Sequence, residues 1–143
     1  MPGEESLRRF YAQMGYQNFG GIREFTCVAG APLPMRKLEP AEFAVLRRQH
    51  LPARGVVQEG ENLAFLSRWA EFYAGNDFLL TVSKEGDVRK GLELLGDVHT
   101  APGIVAALGA DSLSFRTPGN VPYAMCKSLG GETIPTYFGF AFD

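Results

Sequence analysis

Only a few groups in this chain can do chemistry. Tyr11 and Tyr123 each carry a phenol that can orient a substrate or donate a proton. His99 follows Asp97 in a D-x-H pair, the type that can share a metal or serve as acid and base. Its unperturbed pKa near neutrality suits a general base for an amine. No third ligand lies nearby and His50 is the other histidine, so no metal is expected. Pro102-Gly103-Ile104 reads as the opening of a helix, an end that favours an anion such as a diphosphate without any side chain. Each feature also has a plainer account. Tyrosines at helical spacing among apolar residues pack in a core or interface, a loop histidine is solvated, and Pro-Gly is a turn and cap. Cys126, beside Lys127, would need His99 as its base to act as a nucleophile; otherwise it is a buried, inert thiol. Trp69 with Phe65, Phe72 and Tyr73 either lines an acceptor pocket or forms a core stripe. Arg47, Arg48 and Arg54 either meet a phosphate or decorate a solvated helix end.

The elements that must position these groups follow from periodicity. Ser6 caps a short helix with Leu7, Phe10, Tyr11 and Met14 on one face, closed by Gly15. Ile22 to Val28 alternates as a strand, and Ala29 to Pro34, with two prolines and a glycine, is a linker. Met35 to Leu38 is a short strand, and Pro40 opens a helix with Phe43, Leu46 and His50 on one face that ends at Pro52. The spacing of Leu63, Leu66, Ala70 and Tyr73 predicts a second helix from Glu61 to Ala74. Phe78 to Val82, a turn at Glu85-Gly86-Asp87 and Val88 to Leu95 read as a hairpin. A small-residue helix from Pro102 stops at Gly109, and Leu113 and Phe115 mark a short strand. A helix from Pro122 to Leu129 stops at Gly130-Gly131, and Tyr137 to Phe142 is an apolar strand. Alternating helices and strands imply an α/β layered domain around a central sheet.

Composition narrows the classes. The 143 residues are 45% hydrophobic and 21% charged with a net charge of −2, as in a folded domain with no electrostatic basis for holding nucleic acid. Two distant cysteines suit a reducing, cytoplasmic compartment, and neither a signal peptide nor a membrane span is legible. G-x-x-x-x-G-K-[ST], G-x-G-x-x-G, G-x-S-x-G and H-E-x-x-H are absent, which removes the usual signatures of nucleotide hydrolysis, dinucleotide redox chemistry, serine hydrolysis and zinc proteolysis.

The two ends of the chain echo each other. Leu7 to Tyr16 is a helix stopping at glycine before a strand, and Tyr123 to Gly131 reads on the same plan. The first unit cannot bury its own apolar face, so it must dock on the rest of the chain or on a second copy. Tyr11, Gly15 and Tyr16 in F-Y-A-Q-M-G-Y resemble the Y-x-x-x-G-[FY] segment of Gcn5-related N-acetyltransferases, and Asn120, Ala124, Leu129 and Gly130 resemble the same region. The element order from Met35 onward is similar to that family's.

The resemblance implies a mixed central sheet flanked by helices. It also implies three parts: residues 1–28 as a helix–strand extension like the end of a preceding repeat, 29–34 as a linker, and 35–143 as the acetyltransferase-like domain. The implied activity is transfer of an acetyl group from acetyl-CoA to an unidentified amine. Val98 would lie by the pantetheine arm, Thr100, Gly103, Ile104 and Val105 by the diphosphate, and Asn120 by the cofactor. Tyr123 or Tyr11 would face the thiolate, with His99 as base. The family's diphosphate loop is R/Q-x-x-G-x-G/A; here Gly103 matches the central glycine, while Thr100 and Val105 replace the first and last positions and Pro102 removes a donor. Cys126 stands where the family often has its acidic tyrosine. These departures support the alternative of a non-catalytic binding or self-assembly module, including a homodimer that exchanges residues 1–28.

Overall fold

A computed structural model describes residues 5–84, 89–131 and 133–139. The chain builds one seven-stranded mixed sheet. The elements are α1 (Glu5–Gln13), β1 (Gln17–Val28), β2 (Arg36–Leu38), α2 (Pro40–His50), α3 (Glu61–Leu66), β3 (Ala70–Ala74), β4 (Phe78–Ser83), β5 (Lys90–Gly96), α4 (Ala101–Ala107), β6 (Ser112–Pro118) and β7 (Val121–Cys126). A 3-10 turn over Val98–Thr100 leads into α4. The strand order is β2-β3-β4-β5-β6-β1-β7. All neighbours run antiparallel except β5 and β6, which are parallel.

Two apolar layers sandwich the sheet. Phe43 of α2 and Leu63 and Leu66 of α3 cover one face together with Leu38, Phe72, Leu79 and Leu95, and Phe43 stacks on Phe72 at 4.2 Å. Ile104 and Val105 of α4 cover the other face with Leu80, Val82, Leu94 and Phe115. Central β4 is buried on both faces from Phe78 to Val82, which explains its unbroken apolar run. No described helix is long and apolar enough to cross a membrane.

The α/β layered fold read from the sequence is the fold observed. Three expectations differ. The helix expected from Glu61 to Ala74 breaks at Ser67, whose Oγ donates to Ala64 O at 2.7 Å. Beyond it, Ala70, Phe72 and Ala74 point into the core at every second position, the period of a strand. Phe72 therefore lies in the core, while Trp69, at the break, is 51% exposed. The segment from Pro122 to Leu129 is likewise not a helix, because Val121 to Cys126 pairs along β1 as β7. Pro122 is tolerated there beside the irregularity at Gly20, whose φ is +67°. With that helix gone, the echo between the chain's two ends is not structural. Finally, the described part of the closing segment, 133–139, makes a single parallel bridge from Tyr137 to Gly55 and no ladder. Residues 140–142 of that expected strand, and the hairpin turn at Glu85-Gly86-Asp87, lie outside the described residues.

β1 docks within its own chain. Ile22 to Val28 pairs with β6, and Gln17 to Ile22 pairs with β7, so the strand is longer at its start than alternation alone suggested. The 29–34 link then passes over the start of α4: Ala29 N–H donates to Asp111 O and Gly30 N–H to Pro102 O, both at 2.9 Å.

Candidate functional site

The parallel pair β5 and β6 organises the site. Their ladder holds at Lys90–Ser114 and Gly91–Phe115 and then stops, although both strands continue. In the region beyond the ladder, buried Thr117 donates from Oγ1 to Leu94 O at 2.8 Å, so a side chain takes up that strand carbonyl.

Beside it lies a charged cluster in the apolar core. Arg47 and Glu93 each expose 1% of their side chains and form a fork: Nε–H donates to Oε2 at 2.8 Å and Nη2–H to Oε1 at 2.9 Å. Nη1–H donates to Val56 O at 2.9 Å. The buried Tyr137 hydroxyl donates to Glu93 Oε1 at 3.0 Å. Burial, then the Glu93 carboxylate, pushes the Tyr137 phenol far above its ordinary pKa, so the ring is neutral wherever the protein is folded. Gly139, at φ +90°, brings its backbone onto the pair, and a Cβ there would overlap Arg47 Nη2 and Glu93 Oε1. Thr81, which pairs with Glu93 across β4 and β5, has a buried hydroxyl with no hydrogen-bond partner.

Of these residues the sequence reading singled out Arg47, in a basic cluster that either meets a phosphate or decorates a solvated helix end; it does neither, because it lies one helical turn from Phe43 on the face that meets the sheet, paired with Glu93. Arg48 does face solvent, where it pairs with Glu59. Glu93 lies in the return strand of the hairpin, between apolar neighbours. A charged residue inside an otherwise apolar strand is the signal that could have singled it out.

The groups that were singled out are scattered. His99 is exposed beyond β5, and its backbone N–H donates to Asp97 Oδ1 at 2.9 Å, so Asp97 caps the turn rather than pairing with the imidazole. Tyr123 lies on β7, not on a helix, with the Arg116 guanidinium 4.4 Å from its ring centroid and donating to its hydroxyl. Tyr11, on α1, makes edge contacts of 5.5 Å with Phe10 and Tyr16. Asn120 is exposed after β6, where it joins Gly20, Gly21 and Gly119 around a hollow of about 210 Å³. Cys126 is on β7. Among the described residues, no three His, Cys, Asp or Glu side chains gather as a metal site.

The start of α4 does not fit a diphosphate. Thr100 N–H donates to Asp97 O at 3.2 Å and Ala101 N–H to Val98 O, while Pro102 has no N–H. Thr100 Oγ1 also donates to Asp97 O, at 2.5 Å. Gly103 is buried under the linker, with Leu33 Cδ2 2.5 Å from where a Cβ would stand, and Ile104 and Val105 are core residues. The hollow of about 130 Å³ at Thr100 is lined by Leu33, Pro34, Asn76, Asp77 and Phe78, with an acid and no cation. The Thr100 and Ala101 amides are thus bonded within the chain, Pro102 offers none, and Leu33 packs on Gly103.

No family model and no curated protein matches the chain. Among solved structures it is similar to a GCN5-related N-acetyltransferase from Kribbella flavida, at a TM-score of 0.53 and 16% identity over 80% of this chain. The match spans 34% of that protein, about a third of its length. The strand order, the parallel pair and that likeness agree: the chain has the fold of the Gcn5-related N-acetyltransferases.

Proposed function

We propose that this chain is a non-catalytic module of N-acetyltransferase fold, its cofactor cleft filled by its own residues. The observation that carries this reading is the start of α4. The Thr100 and Ala101 amides are engaged by Asp97 and Val98, Pro102 has no N–H, and Leu33 packs on Gly103. An N-terminal helix end attracts a diphosphate only through free N–H groups. Thr117 likewise takes up the Leu94 carbonyl past the end of the β5–β6 ladder. What remains for the module is association. α1 has no buried residue and turns Leu7 and Phe10 outward at 43% and 55% exposure, and Met14 just after it is 50% exposed. Such a stripe gains by covering itself against a partner. A homodimer, including one that exchanges residues 1–28, is consistent with this surface. Light scattering across a concentration series tests it: association with increasing concentration is expected, and a strict monomer at millimolar protein contradicts it.

The second reading is acetyl transfer from acetyl-CoA to an amine. In that reading Val98, Thr100, Gly103, Ile104, Val105 and Asn120 hold the cofactor, and Tyr123, Tyr11 and His99 serve the reaction. It is favoured by one observation, the buried carboxylate of Glu93 just past the end of the β5–β6 ladder. A thermal-shift titration with acetyl-CoA separates the two readings.

A further inference from the structure

We propose that the sheet face opposite α4 carries a binding site for a small oxyanion, a carboxylate or a phosphate ester, held between Lys90 and the hydroxyl pair of Thr26 and Ser114.

A hollow of about 360 Å³ lies on that face, lined by Glu24 and Thr26 of β1, Ser114 and Arg116 of β6, and Lys90 and Leu92 of β5. That volume falls within the roughly 300–1,000 Å³ of small-ligand sites. The strands aim these side chains together. Phe25 and Phe115 stack at 5.5 Å in the α4 layer, which leaves Glu24, Thr26, Ser114 and Arg116 on the other face. β5 would not follow by alternation alone. Glu93 already faces α2 through Arg47, and strict alternation from it would turn Gly91, not Lys90, to that side. A register shift between Thr81 and Val82 changes this: Thr81 pairs with Glu93 and Val82 with Gly91, so Leu92 is an extra residue. Leu92 and Glu93 therefore both turn to the α2 side, and Lys90 follows Leu92. Gly91 faces the α4 side, where a Cβ would stand 2.5 Å from Phe115 Cδ1. The bulge is what carries an ammonium group into the hollow.

The charges and donors there select an anion. Two cations and one acid line the hollow. Glu24 is taken by Arg116, whose Nε and Nη2 lie 3.1 and 3.0 Å from its Oε1. Lys90 has no ion pair among the described residues, so one positive charge is left over. Lys90 stands opposite Ser114 in the parallel ladder, and Ser114 stands opposite Thr26. The Ser114 and Thr26 hydroxyls are 3.1 Å apart; one donates to the other, and the acceptor's own O–H is left to donate outward. An ammonium and a hydroxyl in one row across three strands are donors for a single oxyanion, and the charged donor makes that hydrogen bond the stronger kind. Leu92 supplies an apolar wall for the remainder of the ligand. The hollow lies on the opposite face from α4, so the inference is independent of coenzyme binding.

An NMR titration of the full-length chain at constant ionic strength tests the site, with inorganic phosphate and acetate as probes. Saturable amide shifts centred on Lys90, Ser114 and Thr26 are expected with at least one probe. A response to phosphate alone assigns a phosphate ester, a response to acetate alone assigns a carboxylate, and a response to both assigns the shared oxyanion chemistry. Lys90 is exposed, so Lys90→Gln keeps the fold, and it should weaken binding at least about fivefold. Lys127→Gln removes the same charge beyond β7 and should leave binding within about twofold. No saturable shift with either probe, or equal losses in the two variants, would overturn the site.

Discussion

At the residue scale the molecule turns on one buried fork. Two charges are taken out of water, and their mutual attraction offsets that cost only because Val56 O and the Tyr137 hydroxyl satisfy the remaining positions. Replacing Arg47 by methionine leaves Glu93 charged and buried, and should lower unfolding free energy by about 3–5 kcal/mol in urea titration. Arg47→Met combined with Glu93→Leu should lose far less, since no lone charge remains; a double variant as unstable as the single one would count against the pairing. Tyr137 adds a pH dependence. Its folded pKa is raised above the unfolded value of about 10, so its contribution is complete below that pH and is lost as pH rises. Stability should fall above about pH 10 by up to roughly 1.4 kcal/mol per pH unit. Tyr137→Phe should remove that part of the slope, and an unchanged slope would show that other groups cause it.

At the element scale, what could be read and what could not divide on period and partner. α2, the β4–β5 pair and α4 were legible because proline, glycine and alternation agree with the apolar pattern at each. α3 and β3 were merged because Leu63, Leu66, Ala70 and Tyr73 satisfy a helical stripe by coincidence. The strand period of Ala70, Phe72 and Ala74 shows only when the sheet supplies partners on both sides. The same holds for β7, where the run from Pro122 to the stop at Gly130-Gly131 reads as a helix until β1 offers its free backbone. The site was less legible than the fold: Arg47, Glu93 and Tyr137 are far apart in sequence, and no spacing rule joins them. The crossing of β1 with the β6–β7 connection gives a direct test. A Cβ on Gly21 would overlap the Gly119 carbonyl, whereas Gly130 has open space around it. Gly21→Ala should cost about 1–3 kcal/mol by overpacking, and Gly130→Ala should stay within about 0.5 kcal/mol. Thermal denaturation of the two variants reads the difference, and equal effects would contradict the close approach.

At the scale of the whole molecule, the proposed reading joins an acetyltransferase fold to a helix start that the chain's own linker covers. The linker seals the helix start, Thr117 occupies a strand carbonyl and the 133–139 segment covers the buried fork. The most direct measurement of that account is a thermal-shift titration of the full chain with acetyl-CoA to millimolar concentration. The account predicts no saturable change in Tm. Stabilisation that rises with ligand and reaches about 2.7 kcal/mol at a hundredfold excess over the dissociation constant would contradict it.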